Sequence, residues 1–264
     1  MSQQHYAVTG VSRGIGAEIA IALRSRGHRV TGFDVAQPSV GLDEFVHLDL
    51  SDAASIVSAA SKISPLHGLC NNAGIPPRAG MEEMILRVNF FGQRRLTSAL
   101  LPKFGAGASI VNIASRAGAG WREGIDQVKR LAALDPERDI AAFVRSEKLD
   151  HVRAYNLSKE ALILWTFAET EALIERDIRI NALSPSAVDT AILDDFARAF
   201  GDKMQRNLQR AGRSGYPREV AEVVAFLLSA SSSWIKGADI NLDGGIGAFA
   251  ISDALALRDI RVVA

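Results

Sequence analysis

Residues 5–27 read HYAVTGVSRGIGAEIAIALRSRG, and this stretch decides the fold. Its first five residues form a short apolar run with strand character that ends at Gly10. Over residues 15–26 the apolar positions recur at helical spacing, and Gly27 supplies a C-terminal stop. Between them lies Thr9-Gly10-Val11-Ser12-Arg13-Gly14-Ile15-Gly16. Glycines allow a tight turn there and let backbone N–H groups approach a pyrophosphate, and the helix N-terminus favours negative charge. A strand, a glycine-rich turn and a helix in that order open a dinucleotide-binding α/β fold.

The same alternation continues along the chain. Strands are expected at residues 29–34, 46–48, 68–71, 109–114, 178–183 and 239–242, and helices at 51–62, 82–101, 155–175 and 217–228. Pro217 suits a first helical position. The pattern implies a single doubly wound, parallel-sheet (Rossmann-type) α/β domain over residues 1–264, with helices on both faces. Residues 118–152 break the rhythm where a short connection is expected. They read as a helical insert: one helix over residues 124–134, then Asp135 as N-cap and Pro136 in the first turn of a second helix through Lys148.

Composition narrows the function. The chain has 264 residues with Lys+Arg and Asp+Glu both at 30, which argues against a nucleic-acid or anionic-membrane surface as the main partner. Cys70 is the only cysteine, so no internal disulfide exists and a reducing cytoplasm fits. No apolar stretch reaches membrane-spanning length, and with strand character from His5 and no basic n-region before it no signal sequence is expected, so the reading is a cytoplasmic protein. His5, His28, His47, His67 and His151 are scattered without paired ligand spacing, and no metal site is expected.

Two side chains point to acid–base chemistry. Tyr155 and Lys159 stand four residues apart, on one face of a helix. An ammonium beside a phenol is expected to lower the phenol's pKa toward neutrality. Asp34, at the end of the second strand, can accept hydrogen bonds from an adenosine ribose and repel a 2′-phosphate, which favours NAD as cofactor.

The glycine spacing, G-x-x-x-G-x-G, resembles that of the short-chain dehydrogenase/reductase family. The resemblance extends over nearly the whole chain: Asp49-Leu50, Asn71-Asn72-Ala73-Gly74, Asn89, Ser115, Tyr155-x-x-x-Lys159, Pro185 with Val188 and Thr190, and Asp243-Gly244-Gly245. It implies an oxidoreductase that moves a hydride between NAD(H) and a secondary alcohol or ketone. In that family's terms Tyr155 exchanges the proton, and Lys159 tunes it and holds the nicotinamide ribose. Ser115 donates to the reacting oxygen, and Asn89 anchors a water linking Lys159 to solvent. Gly10, Ser12, Arg13, Gly14, Ile15, Gly16, Asp34, Asp49, Leu50, Asn71, Ala73, Gly74, Tyr155, Lys159, Pro185, Val188 and Thr190 are implied to bind the cofactor. Arg13 pulls toward NADP, because family members using it often carry a basic residue there. The family's usual Pro-Gly is Pro185-Ser186 in this chain, beside the implied substrate cavity.

Tyr155 lies 40 residues after Ser115, further than in most members, and the insert supplies the excess. It is expected to serve as a substrate lid through Trp121 or Ile125, to mask a surface used for oligomerisation, or both. Residues 192–210, with Phe196 and Phe200, match the family's flexible segment over the substrate. The implied partner is an apolar alcohol or ketone (steroid-like, terpenoid or aromatic), and a homodimer or homotetramer is expected. A 3-oxoacyl thioester reductase and a non-catalytic NAD-binding regulator are the rival readings; the first would use the basic pair Lys129/Arg130 for its carrier.

Overall fold

The computed structural model describes residues 3–260. Strand β1 (His5–Thr9) runs into the glycine turn and helix α1 (Gly14–Ser25), as the sequence reads. The other strands are β2 (Arg29–Asp34), β3 (Glu44–His47), β4 (Leu66–Asn71), β5 (Phe104–Ile113), β6 (Arg179–Pro185) and β7 (Asp239–Leu242). They form one parallel sheet in the order β3-β2-β1-β4-β5-β6-β7. Strand β1 pairs with both β2 and β4, so the winding reverses between them. A crevice opens beyond the C-terminal ends of strands at such a reversal.

All five β1 residues are buried, as a central strand covered on both faces requires. Alternate side chains divide the core. Tyr6 and Val8 join one cluster with Ile19 and Leu23 of α1 and with Val220, Val224 and Leu227 of α9 (Pro217–Leu228). Ala7 faces the other way, toward Ile56 of α2 (Ala53–Ser61) and Leu96 and Leu100 of α4 (Gln93–Leu100). Helix α7 (His151–Ile174) lies on that second face.

Three expectations need correction. The helix expected over residues 82–101 is interrupted: α3 (Glu82–Leu86) passes into a π-helical turn (Arg87–Gly92) before α4. The inserted residue re-aims this turn, which carries Asn89, and such turns often sit at functional sites. Helix α7 starts four residues before Tyr155, because Asp150 caps it by accepting the Arg153 N–H at 2.7 Å. Tyr155 therefore sits in the second turn, where the backbone is already fixed.

The third correction concerns the insert. Helix α5 (Ile125–Ala132) forms near its expected place, but Asp135-Pro136 opens only a turn, and α6 (Ile140–Ser146) begins later. Asp135 accepts the Glu137 N–H at 3.0 Å, and its own N–H donates to Asp139 Oδ2, which closes a local loop instead of launching a helix. Val128, Leu131, Ile140 and Phe143 of the insert pack on Ile85, Phe90, Leu157 and Ala161, so the insert is bound to α3 and α7 by a shared core. Arg153 and Glu160, both on α7, form an ion pair, and Arg153 also donates to Gln127 of α5 at 2.8 Å. No helix among the described residues is long and apolar enough to cross a membrane.

Helix α8 (Leu193–Ala211) and helix α10 (Ile246–Ala254) complete the described elements that bear on the site. Gly92 ends the π-helical turn where a Cβ would lie 2.2 Å from the Leu50 carbonyl oxygen. Backbone cannot yield as a side chain can. Gly92→Ala is expected to cost about 2–3 kcal/mol of stability, read as a lower urea midpoint; an unchanged midpoint would contradict this packing.

Candidate active site

A cavity of about 630 Å³ opens beyond the C-terminal ends of the central strands. The glycine turn forms one wall. Gly10 has φ +75° and donates its N–H to the Phe33 carbonyl at 2.7 Å. A Cβ on Gly16 would lie 2.0 Å from the Gly10 oxygen, so only glycine lets α1 start this close to β1. Arg13, the N-cap of α1, gives no side-chain cap, and the first turn holds no acidic residue. Its N–H groups and partial positive charge are thus left for an anion.

Asp34 lines the same wall. Its Oδ2 accepts the Ser12 N–H at 2.8 Å and its Oδ1 accepts the Ala36 N–H at 3.1 Å, which fixes the carboxylate beside Arg13 and Val35. Asp49 and Leu50 also border the cavity, and Asp49 accepts from both the N–H and the hydroxyl of Ser51. Ser12, Arg13, Gly14, Ile15, Ala73, Gly74, Pro185, Val188 and Thr190 all reach the cavity wall. An uncapped helix start, a close-packed glycine turn and a fixed carboxylate together fit a dinucleotide.

Asn71 does not join them. Its side chain is buried, with Nδ2 donating to Thr97 Oγ1 and Asn112 Oδ1, both at 2.9 Å. The neighbouring Asn72 lines the cavity instead, donating to the Thr9 carbonyl at 2.9 Å. Two consecutive asparagines leave a strand on opposite faces, and both faces of this sheet are covered, so periodicity could not separate them.

Tyr155 and Lys159 stand on the buried face of α7 and both reach the cavity. The Lys159 Nζ lies 5.7 Å from the centre of the Tyr155 ring and donates to the Ile113 carbonyl at 2.8 Å. Ser115 follows β5 and caps a short 3-10 turn (Arg116–Gly118): its Oγ accepts the Ala117 N–H at 3.1 Å. Burial pushes the Tyr155 phenol above its ordinary value, and hydrogen bonding with Ser115 pulls weakly the other way. Burial also pushes the Lys159 ammonium down to about 7. The expected lowering of the phenol is therefore reversed. Helix spacing fixes the angle between the two groups, but removal of water from both charged forms outweighs their mutual effect.

Asn89 is fully buried behind this group. Its Oδ1 accepts the Ile75 N–H at 2.8 Å, and its Nδ2 donates to the Ile75 carbonyl at 3.0 Å. It clamps the backbone beside Gly74; it does not border the cavity, and neither does Gly16.

Helix α8 covers the opening. Phe196 meets the Tyr155 ring edge-on with centres 5.3 Å apart, and Phe200 stacks on Phe196. Ile75, Pro76, Met84, Val88, Met204 and Leu208 make the remaining wall largely apolar. Asp195 of α8, only 7% exposed, is paired with Arg78 at 2.6 Å and with Arg198, which fastens the cover to the loop after β4. Ser186 lines the cavity at the family's usual glycine position. No residue of the insert does so: Trp121 packs edge-on against Phe167 of α7, so the expected lid role of Trp121 or Ile125 is not found. Arg78 and Arg116, both on the cavity wall, were not singled out from sequence, because their partners lie more than a hundred residues away. Among the described residues no cluster of three or more His, Cys, Asp or Glu side chains could hold a metal ion.

Comparison with known proteins bears on the family and the fold. Residues 4–125 match the family described as short chain dehydrogenase, and residues 140–247 match the family described as Enoyl-(Acyl carrier protein) reductase. The gap between the two matches falls inside the insert. The chain is 37% identical to a coniferyl-alcohol dehydrogenase of Pseudomonas sp. strain HR199, over 93% of this chain and 97% of that protein. It is 29% identical to a 3-alpha-hydroxysteroid dehydrogenase/carbonyl reductase of Comamonas testosteroni, covering 91% of this chain and 95% of the relative. The crystal structure of 3-alpha-hydroxysteroid dehydrogenase from Pseudomonas sp. B-0831, complexed with NADH, superposes with a TM-score of 0.80 at 29% identity, covering 97% of this chain and 99% of that one. With its glycine turn, parallel sheet and Ser115/Tyr155/Lys159 group, the chain belongs to the short-chain dehydrogenase/reductase family.

Proposed function

We propose that this protein is an NAD(H)-dependent oxidoreductase that interconverts an apolar, aryl-bearing alcohol and its carbonyl compound. The observation that carries this reading is the convergence of Tyr155, Lys159 and Ser115 on a cavity whose far wall is an uncapped helix start and a fixed carboxylate. A nicotinamide bound there supplies the hydride donor or acceptor. Tyr155 holds a proton at its phenol oxygen and gives it to a carbonyl oxygen during reduction. Ser115 Oγ accepts the Ala117 N–H with one of its two lone pairs, and its own O–H is free to turn to the reacting oxygen. Lys159 would hold the ribose hydroxyls of the bound dinucleotide, and Asn89 acts by securing Ile75 and the segment that carries Ala73 and Gly74; a water beside it would link Lys159 to solvent.

Asp34 favours NAD over NADP, because a 2′-phosphate would meet a carboxylate held by two backbone N–H groups. The apolar wall with stacked Phe196 and Phe200 suits an aromatic body, and similarity to a coniferyl-alcohol dehydrogenase supports the same class. A thioester reductase is less well supported: Arg130 is engaged by Glu147, and neither Lys129 nor Arg130 reaches the cavity. A cytoplasmic location accords with a single buried thiol. A homodimer or homotetramer would cover the exposed Trp234 in the turn before edge strand β7.

A panel of aryl, terpenoid and steroid alcohols and a 3-oxoacyl thioester, followed by NADH absorbance, tests the reading. Aryl alcohols should give the highest kcat/KM, and turnover of the thioester alone would overturn it. NADH should exceed NADPH in kcat/KM by about tenfold or more, and comparable values would refute the role of Asp34. Tyr155→Phe should lower kcat by at least about a hundredfold. With the phenol's pKa raised, reduction should hold its rate from neutral to mildly alkaline pH, whereas oxidation, which needs the phenolate, should climb with pH.

Stability gives a separate check without substrate. A lysine depressed from 10.5 to about 7 takes up a proton on unfolding between those values, so its penalty is full below pH 7 and disappears as pH rises to 10.5. Lys159→Met should therefore raise the dinucleotide-free Tm at pH 7 by about 2–4 °C while abolishing turnover, and the gain should shrink toward pH 10. A lower Tm at pH 7 would contradict the buried-ammonium assignment.

A further inference from the structure

Ser115 sits where β5 ends and the chain turns, so its aim depends on whatever holds that turn. The next residue, Arg116, reaches across to the far end of the sheet. Its Nε lies 3.1 Å from Asp243 Oδ2, and its Nη1 donates to Asn241 Oδ1 at 3.0 Å. The Nε–H is off the carboxylate axis, so the contact is an ion pair, while the Asn241 contact is an aligned hydrogen bond. The Arg116 side chain is 24% exposed and that of Asp243 8%, which shields the pair from solvent screening.

The anchor itself is rigid. Asp243 accepts the Gly245 N–H at 3.0 Å and the Gly247 N–H at 2.8 Å, so its carboxylate is fixed before Arg116 arrives. The guanidinium lies close under Gly247, where a Cβ would stand 3.2 Å from its Cζ. On the other side Gly118 closes the same turn against α7, with space for no Cβ beside the Lys159 carbonyl carbon. The turn that presents Ser115 is thus wedged between the helix carrying Tyr155 and the end of β7. Its local ties are few: Ala117 N–H to Ser115 Oγ, Gly118 N–H to the Ser115 carbonyl, and Ala119 N–H to the Arg116 carbonyl.

We propose that Arg116 is a positioning residue for the reaction: braced on Asp243 and Asn241, it holds the Ser115 hydroxyl at its place beside the Tyr155 phenol. The role rests on the assignment of Ser115 as donor to the reacting oxygen. Arg116 lines the cavity wall but acts through Ser115, so its loss should appear in kcat and not in cofactor binding.

The test combines Arg116→Met, Arg116→Lys, Asp243→Asn and Ser115→Ala, read by steady-state kinetics, NADH binding by fluorescence, and Tm. Arg116→Met should lower kcat about ten- to a hundredfold, the usual cost of misplacing a reacting group, with the NADH Kd unchanged. Arg116→Lys keeps the charge but cannot span Asp243 and Asn241 together, so it should recover part of the loss; it also serves should the methionine variant fail to fold. Adding Arg116→Met to Ser115→Ala should cost nothing further, because the group it positions is already gone. The proposal is overturned if Ser115→Ala loses kcat and Arg116→Met does not, if the Arg116 loss persists in full on the alanine background, or if Tm and NADH binding fall in step with kcat. If Ser115→Ala itself retains kcat, the role of Ser115 is wrong and the proposal falls with it.

Discussion

Desolvation of a phenol and an ammonium on one helical face is the constraint on which the site depends. Tyr155 and Lys159 are both buried by packing of α7 against the sheet, the π-helical turn and the insert. Each loses the water that would favour its charged form, so the phenol keeps its proton and the lysine approaches neutrality near pH 7. In the proposed reaction the pair therefore serves as a proton donor. Its partners follow from the same packing: Lys159 is held by the carbonyl of Ile113, the last residue of β5, and Ser115 stands two residues beyond that strand end.

That arrangement has a structural cost, which is met by elements far from the chemistry. A lysine buried without a carboxylate partner is destabilising, and the surrounding apolar cluster must offset it. The insert contributes here. Its Val128, Leu131, Ile140 and Phe143 extend the core that seats α7, and its Gln127 engages Arg153 two residues before Tyr155. The insert thus braces α7 from outside, while α8 closes the cavity from above through Phe196 and the Asp195 ion pairs.

Much of this was legible in the sequence. The glycine turn between β1 and α1 announced itself because close approach tolerates no other residue type, and Tyr155/Lys159 because four residues make one helical turn. The inward turn of the Asn71 side chain was not legible, since adjacent asparagines at a strand end differ only in which covered face they meet. The π-helical turn has no composition signal; the Leu50 backbone pressed against Gly92 is a tertiary contact. Asp150 carried a legible capping signal, but it lay inside a stretch read as insert. Arg116–Asp243 and Arg78–Asp195 join residues more than a hundred positions apart, beyond any local pattern. The direction of the phenol shift was hidden for a different reason. Spacing reports which groups are neighbours, not how much water reaches them.

The most direct measurement is the carbon-13 chemical shift of the Tyr155 Cζ, followed from pH 6 to 10 in dinucleotide-free protein with selectively labelled tyrosine and Tyr155→Phe for assignment. If burial governs the pair, the resonance stays at its protonated-phenol position over the whole range. A titration step between pH 7 and 9 would mean that the ammonium wins over desolvation, and the account of this site would be wrong.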